Sequence, residues 1–365
     1  MNGREVVDSL IRHKKAPRMG LYDSPWSDTL DAWAGGQGYP VDSVSGLPAG
    51  AAAHFGFDME GAGGGFDWMP IQGRNELLSE TDEWAIHRNG AGAAFKYWKR
   101  KSGTPEHVDF HMTTRDIWEK SYRGELRACE SRLNNAEAAA DNLRTIRARG
   151  AWAFFGNLGL WEILRSSLGD ECMFESFLLD PEWILDFNRV YTDFYKAMYD
   201  ILFDTAGLPD GVWLYDDLAY RNGVYCSPKT LDKLFAPFYK EIADHIHSYG
   251  LPIVFHCCGG MEEALPMIAG CGYDALNPME RKSGCDPIKF ARRYRDKLAF
   301  IGGLDAISLE SSDLPRMLRE TDDLLNGMRD AGAAYIFGSD HSLSPRVNYD
   351  DYCRVVEHFR ENSSY

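Results

Sequence analysis

Two periods of apolar and polar positions alternate along most of this chain. Short apolar runs of strand length end in small or charged residues. They are Arg18-Met-Gly-Leu-Tyr22, Trp152-Ala-Phe-Phe-Gly156-Asn157, Gly211-Val-Trp-Leu-Tyr-Asp216-Asp217, Leu251-Pro-Ile-Val-Phe-His256, Tyr273-Asp-Ala-Leu-Asn-Pro278, Leu298-Ala-Phe-Ile-Gly-Gly-Leu-Asp305 and Tyr335-Ile-Phe-Gly-Ser-Asp340-His341. Between them lie stretches whose apolar residues recur at helical spacing, as Val6, Val7, Leu10 and Ile11 do over 3–14. Asp180-Pro181 and Ser227-Pro228 each put a capping side chain before a proline at the first helical position. The helices they start are expected to stop at Gly207 and Gly250. Further helices are predicted over 313–331 and 349–361. About seven strands in alternation with helices predict a parallel α/β fold, with an eighth strand not located.

One region departs from this rhythm. Residues 41–65 are rich in Gly and Ala and carry no clear period. Glu83-Trp-Ala-Ile-His-Arg88 and Ala94-Phe-Lys-Tyr-Trp98 alternate with period two around Asn89-Gly90, a hairpin signal. An antiparallel cap inserted at about 41–110 is therefore expected on one domain spanning 1–365. The segment 113–150 is expected to be mostly helical. Polar residues recur at the carboxyl ends of the strands: Asp216 and Asp217, His256 and Cys258, Glu280, Asp305, Asp340 and His341. In a closed barrel those ends converge on one face, where active sites lie. No Gly-x-Gly-x-x-Gly follows the first strand, which disfavours a nucleotide-binding open sheet. The expected fold class is α/β, a (β/α)8 TIM barrel with an antiparallel cap near the N-terminus.

Composition narrows the function. The 365 residues include 39 Lys and Arg against 55 Asp and Glu, a net charge of −16 that argues against a nucleic-acid or anionic-membrane partner. Eight cysteines without even spacing read as reduced thiols of a cytoplasmic protein. No apolar run approaches the roughly 18 residues of a membrane span.

The chemistry concentrates at His256-Cys257-Cys258-Gly259-Gly260. Residues i and i+2 of a strand share a side, so His256 and Cys258 can meet at one point. An imidazole and a thiolate are two of the three protein ligands of a catalytic zinc. The competing structural reading is a buried strand end with inert thiols.

Five segments carry a family resemblance: Trp213-Leu-Tyr-Asp-Asp-Leu-Ala-Tyr220 with Ser227-Pro, Pro252-Ile-Val-Phe-His-Cys-Cys-Gly259, Ala275-Leu-Asn-Pro-Met-Glu280, Gly302-Gly-Leu-Asp305 and Ser339-Asp-His-Ser342. In their order and spacing the chain resembles the uroporphyrinogen decarboxylase superfamily from Arg18 to the end. The resemblance implies a distorted (β/α)8 barrel. It also implies one of two chemistries. One branch decarboxylates porphyrinogens without a metal. The other moves methyl groups between a thiol, alcohol, amine or aryl ether and a separate corrinoid protein, using zinc on a His-x-Cys pair plus a later Cys. Here the pair is His256 and Cys258, and the later position reads Ser339-Asp340-His341, so His341 is the expected third ligand of a Zn2+ site, or else a general acid beside no metal. The decarboxylase branch carries an Arg-rich segment after the first strand. Leu21-Tyr-Asp-Ser-Pro-Trp26 has no arginine.

The function expected on this basis is zinc-dependent methyl transfer between a small O- or N-methyl substrate and a corrinoid protein. A metal-free decarboxylase and a non-catalytic ligand-binding barrel are the alternatives. Asp216, Asp217 and Asp340 are the candidate proton donors. Asp216 and Asp217 alternate sides, so only one can face the pocket, and turn capping is the structural alternative for both. Tyr22, Trp26, Asn157, Glu280 and Asp305 are the candidate substrate contacts, against core packing or turn roles. His245 and His247 are expected on different helix faces at the surface. A homodimer is compatible with all of this.

Overall fold

The computed structural model describes residues 1–100 and 103–365. Two barrel strands come first, β1 (Gly20–Leu21) and β2 (Met59–Gly61). An antiparallel sheet follows, made of β3 (Asn75–Glu80), β4 (Trp84–Asn89), β5 (Ala93–Trp98) and β6 (Glu106–Phe110). The barrel resumes with β7 (Trp152–Leu158) and β8 (Gly211–Tyr215). A small hairpin of β9 (Ala219–Tyr220) and β10 (Gly223–Val224) precedes β11 (Ile253–Cys257), β12 (Ala275–Pro278), β13 (Ala299–Ile301) and β14 (Tyr335–Phe337). The eight barrel strands pair in parallel in the order β1-β14-β13-β12-β11-β8-β7-β2, with helices between them. This is the expected (β/α)8 barrel, nearly closed.

The seam between β1 and β2 has no ladder. Asp58 bridges it instead. Its N–H donates to the Leu21 carbonyl at 2.8 Å, and its carboxylate accepts from the Leu21 N–H at 2.9 Å and from Arg18 at 2.6 and 2.8 Å.

Period-two alternation sorts the strand side chains into two layers. Trp152, Phe154, Trp213, Val254, Ala275, Ala299, Ile301 and Ile336 pack together inside the barrel, and Val6, Val7, Leu10 and Ile11 of the helix Gly3–Ile11 join them. Ala153, Phe155, Val212, Leu214, Ile253 and Phe255 belong to the outer layer against the helices. The interior is thus filled, and Tyr22 and Tyr215 pack on this inner cluster.

Three features differ from expectation. The missing strand is Met59–Gly61, hidden in the Gly- and Ala-rich stretch, so the inserted sheet begins later than residue 41. Three residues are too few to show a period. Between 113 and 150 only Ala136–Ala148 is a long helix, and short turns fill 115–132. There the buried Arg132 guanidinium donates to the carbonyls of Asp67, Met69, Pro70, Glu125 and Arg127, which holds two loops together without a carboxylate. Lastly, His245 and His247 are not free surface groups: each is 2.8 Å from an aspartate, Asp200 and Asp274. Among the described residues no helix is long and apolar enough to cross a membrane.

Candidate metal centre at the barrel mouth

The alternation that fills the barrel also aims its polar ends. Trp213, Tyr215 and Asp217 follow one face of β8 and its exit, and His256 and Cys258 do the same on β11. The two strands pair in register, with Tyr215 opposite His256. The result is a cavity of about 450 Å³, lined by residues that include Tyr22, Trp26, Trp213, Tyr215, Asp217, His256, Cys258 and His341. Gly103, Thr104 and Pro105 of the inserted sheet also reach it.

Three donors converge here. The ligand atoms of Asp217, His256 and Cys258 all lie within 4.8 Å of one another. His256 Nε2 is 3.5 Å from Cys258 Sγ and 3.9 Å from Asp217 Oδ1. The other imidazole nitrogen, Nδ1, is 2.6 Å from Asn277 Oδ1. Asn277 donates its amide N–H to the Ile301 carbonyl at 3.2 Å, which orients its oxygen toward the ring. Nδ1 therefore carries the proton, and Nε2 presents its lone pair to the carboxylate and the thiol. This is how metal-binding histidines are oriented.

The loop that follows is held just as firmly. The Cys258 N–H donates to Asp217 Oδ1 at 2.7 Å, and the Gly259 N–H donates to Glu280 Oε2 at 3.0 Å. Lys282 pairs with Glu280 at 2.8 Å. Gly259 has φ +86°, and a Cβ there would meet the backbone of Ala219 and Tyr220 at 2.7–2.8 Å, so the β9–β10 hairpin can cross this loop only over a glycine.

The electrostatics suit a cation. Burial holds the His256 imidazole below its ordinary value, against the opposing pull of Asp217, so it is neutral. Burial and then the Asp217 carboxylate push the Cys258 thiol well above its ordinary value. A divalent cation would reverse the second effect by taking the thiolate as ligand. A nitrogen, a sulfur and an oxygen donor facing one cavity, with an outer amide fixing the imidazole, fit the three-ligand set of a catalytic zinc.

The other candidate residues divide by side. Tyr22, Trp26, Asp217 and His341 line the cavity. His341 does not bring a ring nitrogen within 4.8 Å of both His256 and Cys258 donors, so Asp217 and not His341 completes the group. Asp216 faces away. It is fully buried, accepts the Trp161 and Glu162 N–H groups at the start of the helix Leu160–Leu168, and accepts the Tyr239 hydroxyl. Asp340 accepts the Arg281 and Ala306 N–H groups at 2.6 and 2.9 Å. Asp305 caps the helix Ala306–Leu309, and Glu280 braces the Cys258–Gly259 loop. Asn157 lies near Tyr199 and the Gly64 carbonyl. None of these five lines the cavity; strand-end carboxylates here mostly satisfy backbone N–H groups of the next turn, as Asp commonly does. Asp23 was not anticipated and does line it, buried, with its oxygens accepting from Ser24, Ser339 and Tyr352.

The uroporphyrinogen decarboxylase (URO-D) family model matches residues 177–362, just over half of the chain, and includes every donor of the candidate centre. The chain belongs to this family. Its fold is similar to that of a methyltransferase from Methanosarcina mazei, with a TM-score of 0.69 over 99% of each chain at 11% identity, a likeness of fold alone. A β-mannanase from the blue mussel Mytilus edulis aligns at 10% identity over 79% of this chain and 96% of its own, with a TM-score of 0.35 too low to carry an argument. No curated protein matches the sequence.

Proposed function

We propose that this URO-D family protein is a zinc-dependent methyltransferase, moving a methyl group between a small O- or N-methyl substrate and a corrinoid carried by a separate protein. The observation that carries this is the Asp217–His256–Cys258 group with Asn277 behind it. The fold shared with a protein described as a methyltransferase supports it.

Asp217, His256 and Cys258 would hold the metal. When bound, zinc supplies Lewis acidity toward the heteroatom that the methyl leaves or joins. Asp217 brings a second negative charge beside the Cys258 thiolate, so the donor set balances a dication. A carboxylate oxygen is harder than a sulfur, and such a set favours oxygen and nitrogen substrates over thiols. Tyr22, Trp26, Trp213 and Tyr215 give the methyl-bearing group an apolar aromatic wall. A cavity of about 450 Å³ suits a compact molecule. Among the described residues its lining has no lysine or arginine to receive the acidic arms of a porphyrinogen, and Asp23 and Asp217 would oppose them.

The test is elemental analysis of the purified protein, followed by reaction with free reduced cobalamin and a panel of methyl ethers and methylamines. One zinc per chain is expected, lost in His256→Ala and in Asp217→Ala, together with methylcobalamin formation by the zinc-bearing wild type alone. A protein purified without transition metal, and unable to take up zinc, would overturn the proposal.

A further inference from the structure

His341 shares the cavity with the three donors but stands outside their group. We infer that His341 hands a proton to the leaving oxygen as the methyl group departs, a role that rests on the methyl-transfer reading above.

The geometry presents one ring nitrogen. His341 Nδ1 faces the Ser342 carbonyl at 3.3 Å and donates its proton there. Among the described residues Nε2 has no partner. The ring is seated by Trp26, edge to face at 5.7 Å between centroids. Its backbone is fixed as well. Ser339 Oγ reaches the His341 carbonyl and, at 2.6 Å, Asp23 Oδ1. Tyr352 donates to Asp23 Oδ2 at 3.0 Å, and the Ser339 N–H does so at 3.2 Å. A chain of hydrogen bonds from Tyr352 through Asp23 to Ser339 thus positions an imidazole with one free nitrogen in the cavity.

The titratable groups facing the same cavity are Tyr22, Asp23, Tyr215, Asp217, His256 and Cys258. Asp217, His256 and Cys258 form the donor set. The Asp23 oxygens are taken up by Ser24, Ser339 and Tyr352. Burial pushes the Tyr22 hydroxyl well up and the Tyr215 hydroxyl up to about 12, which makes both poor proton donors near neutral pH. Asp216 and Asp340, the acids that the strand ends suggested, lie outside the lining. His341 is what remains, and imidazole is the side chain best matched to proton transfer near neutral pH.

The step balances for a methyl ether. The carbon–oxygen bond breaks and its electron pair stays on oxygen, which takes the Nε2 proton of the His341 imidazolium and leaves as an alcohol or phenol. The methyl carbon passes to the reduced corrinoid of the partner, which supplies both electrons of the new bond and is oxidised by two electrons. His341 is left neutral and regains a proton from water.

Wild type, His341→Ala and His341→Gln would be compared with two probes of similar shape, anisole and 4-nitroanisole, with free reduced cobalamin as acceptor. Phenolate is the more basic leaving group, and 4-nitrophenolate departs with little need of a proton. In both variants the rate with anisole is expected to fall by about 100-fold or more, and that with 4-nitroanisole by less than about 5-fold. Zinc is expected to stay at one per chain. Loss of zinc in both variants would make His341 a ligand and overturn the inference. Equal slowing with both ethers would reduce it to a wall residue and overturn it too. A zinc-bearing wild type that demethylates neither probe would remove the ether-cleaving role of His341. Failure across the whole panel of ethers and amines would remove the methyl-transfer proposal as well.

Discussion

Asp216 and Asp217 are neighbours with opposite fates. One faces a cavity beside an imidazole and a thiol. The other is sealed behind β8 against a helix start and a tyrosine. Burial raises the Asp216 carboxyl from its ordinary value to about 8. Between those two values the folded chain holds a proton that the unfolded chain has released, so this group makes stability decline as pH rises. Asp216→Asn, which cannot ionise, is expected to lose that slope. Its urea midpoint should gain on the wild type between about pH 5 and about pH 8, measured by tryptophan fluorescence. Asn277 lines the cavity and touches the centre through the imidazole, its Oδ1 2.6 Å from His256 Nδ1. Asn277→Leu is expected to leave the fold intact and weaken zinc binding by about 10–100-fold, read by competition with a chromophoric chelator. The sequence showed His256 and Cys258 as a pair because a strand has period two. It could not rank Asp217 above His341 as third donor, since that depends on how the exits of β8 and β14 are bent in space.

Among the elements, those with strong local signals stood out in the sequence. Asp180 caps the helix Pro181–Ala206 through the Trp183 N–H at 3.2 Å, with Pro181 in the first turn, as the Asp-Pro signal anticipates. Asn89 Oδ1 accepts from the Ala91 and Ala93 N–H groups and turns β4 into β5. The irregular stretch 115–132 had no such signal: Arg132 takes two of its carbonyls, Glu125 and Arg127, and ties it to the distant loop carbonyls of Asp67, Met69 and Pro70, a contact that no local pattern announces. Arg132 serves five carbonyls and lies over the Phe194 ring. Arg132→Lys keeps the charge but offers three donors in place of the planar fork. It is expected to cost about 1–3 kcal/mol in urea unfolding, through carbonyls left without partners.

At the scale of the whole molecule, closure of the barrel brings together residues that the chain keeps apart. β1 and β14 pair, and Asp23 reaches Ser339 across 316 positions. The remaining seam depends on Asp58. Asp58→Ala would strand the partly buried Arg18 guanidinium and the Leu21 N–H. A loss of about 3 kcal/mol is expected, seen as a lower urea midpoint without a change of slope.

Periodicity determined the strand–helix alternation and the pairing of His256 with Cys258, and cap and turn residues determined the helix starts at Asp180-Pro181 and Ser227-Pro228 and the Asn89-Gly90 hairpin. All of these follow from backbone geometry within a few residues. Only the tertiary structure decided that Met59–Gly61 is a barrel strand, that Asp217 joins the donors while Asp216, Asp340, Asp305 and Glu280 serve the backbone, and that His341 has one ring nitrogen without a partner among the described residues. A carboxylate at a strand end has the same local sequence whether it meets a metal or a helix N-terminus. What separates the two outcomes is which distant backbone N–H groups the folded chain brings within about 3 Å.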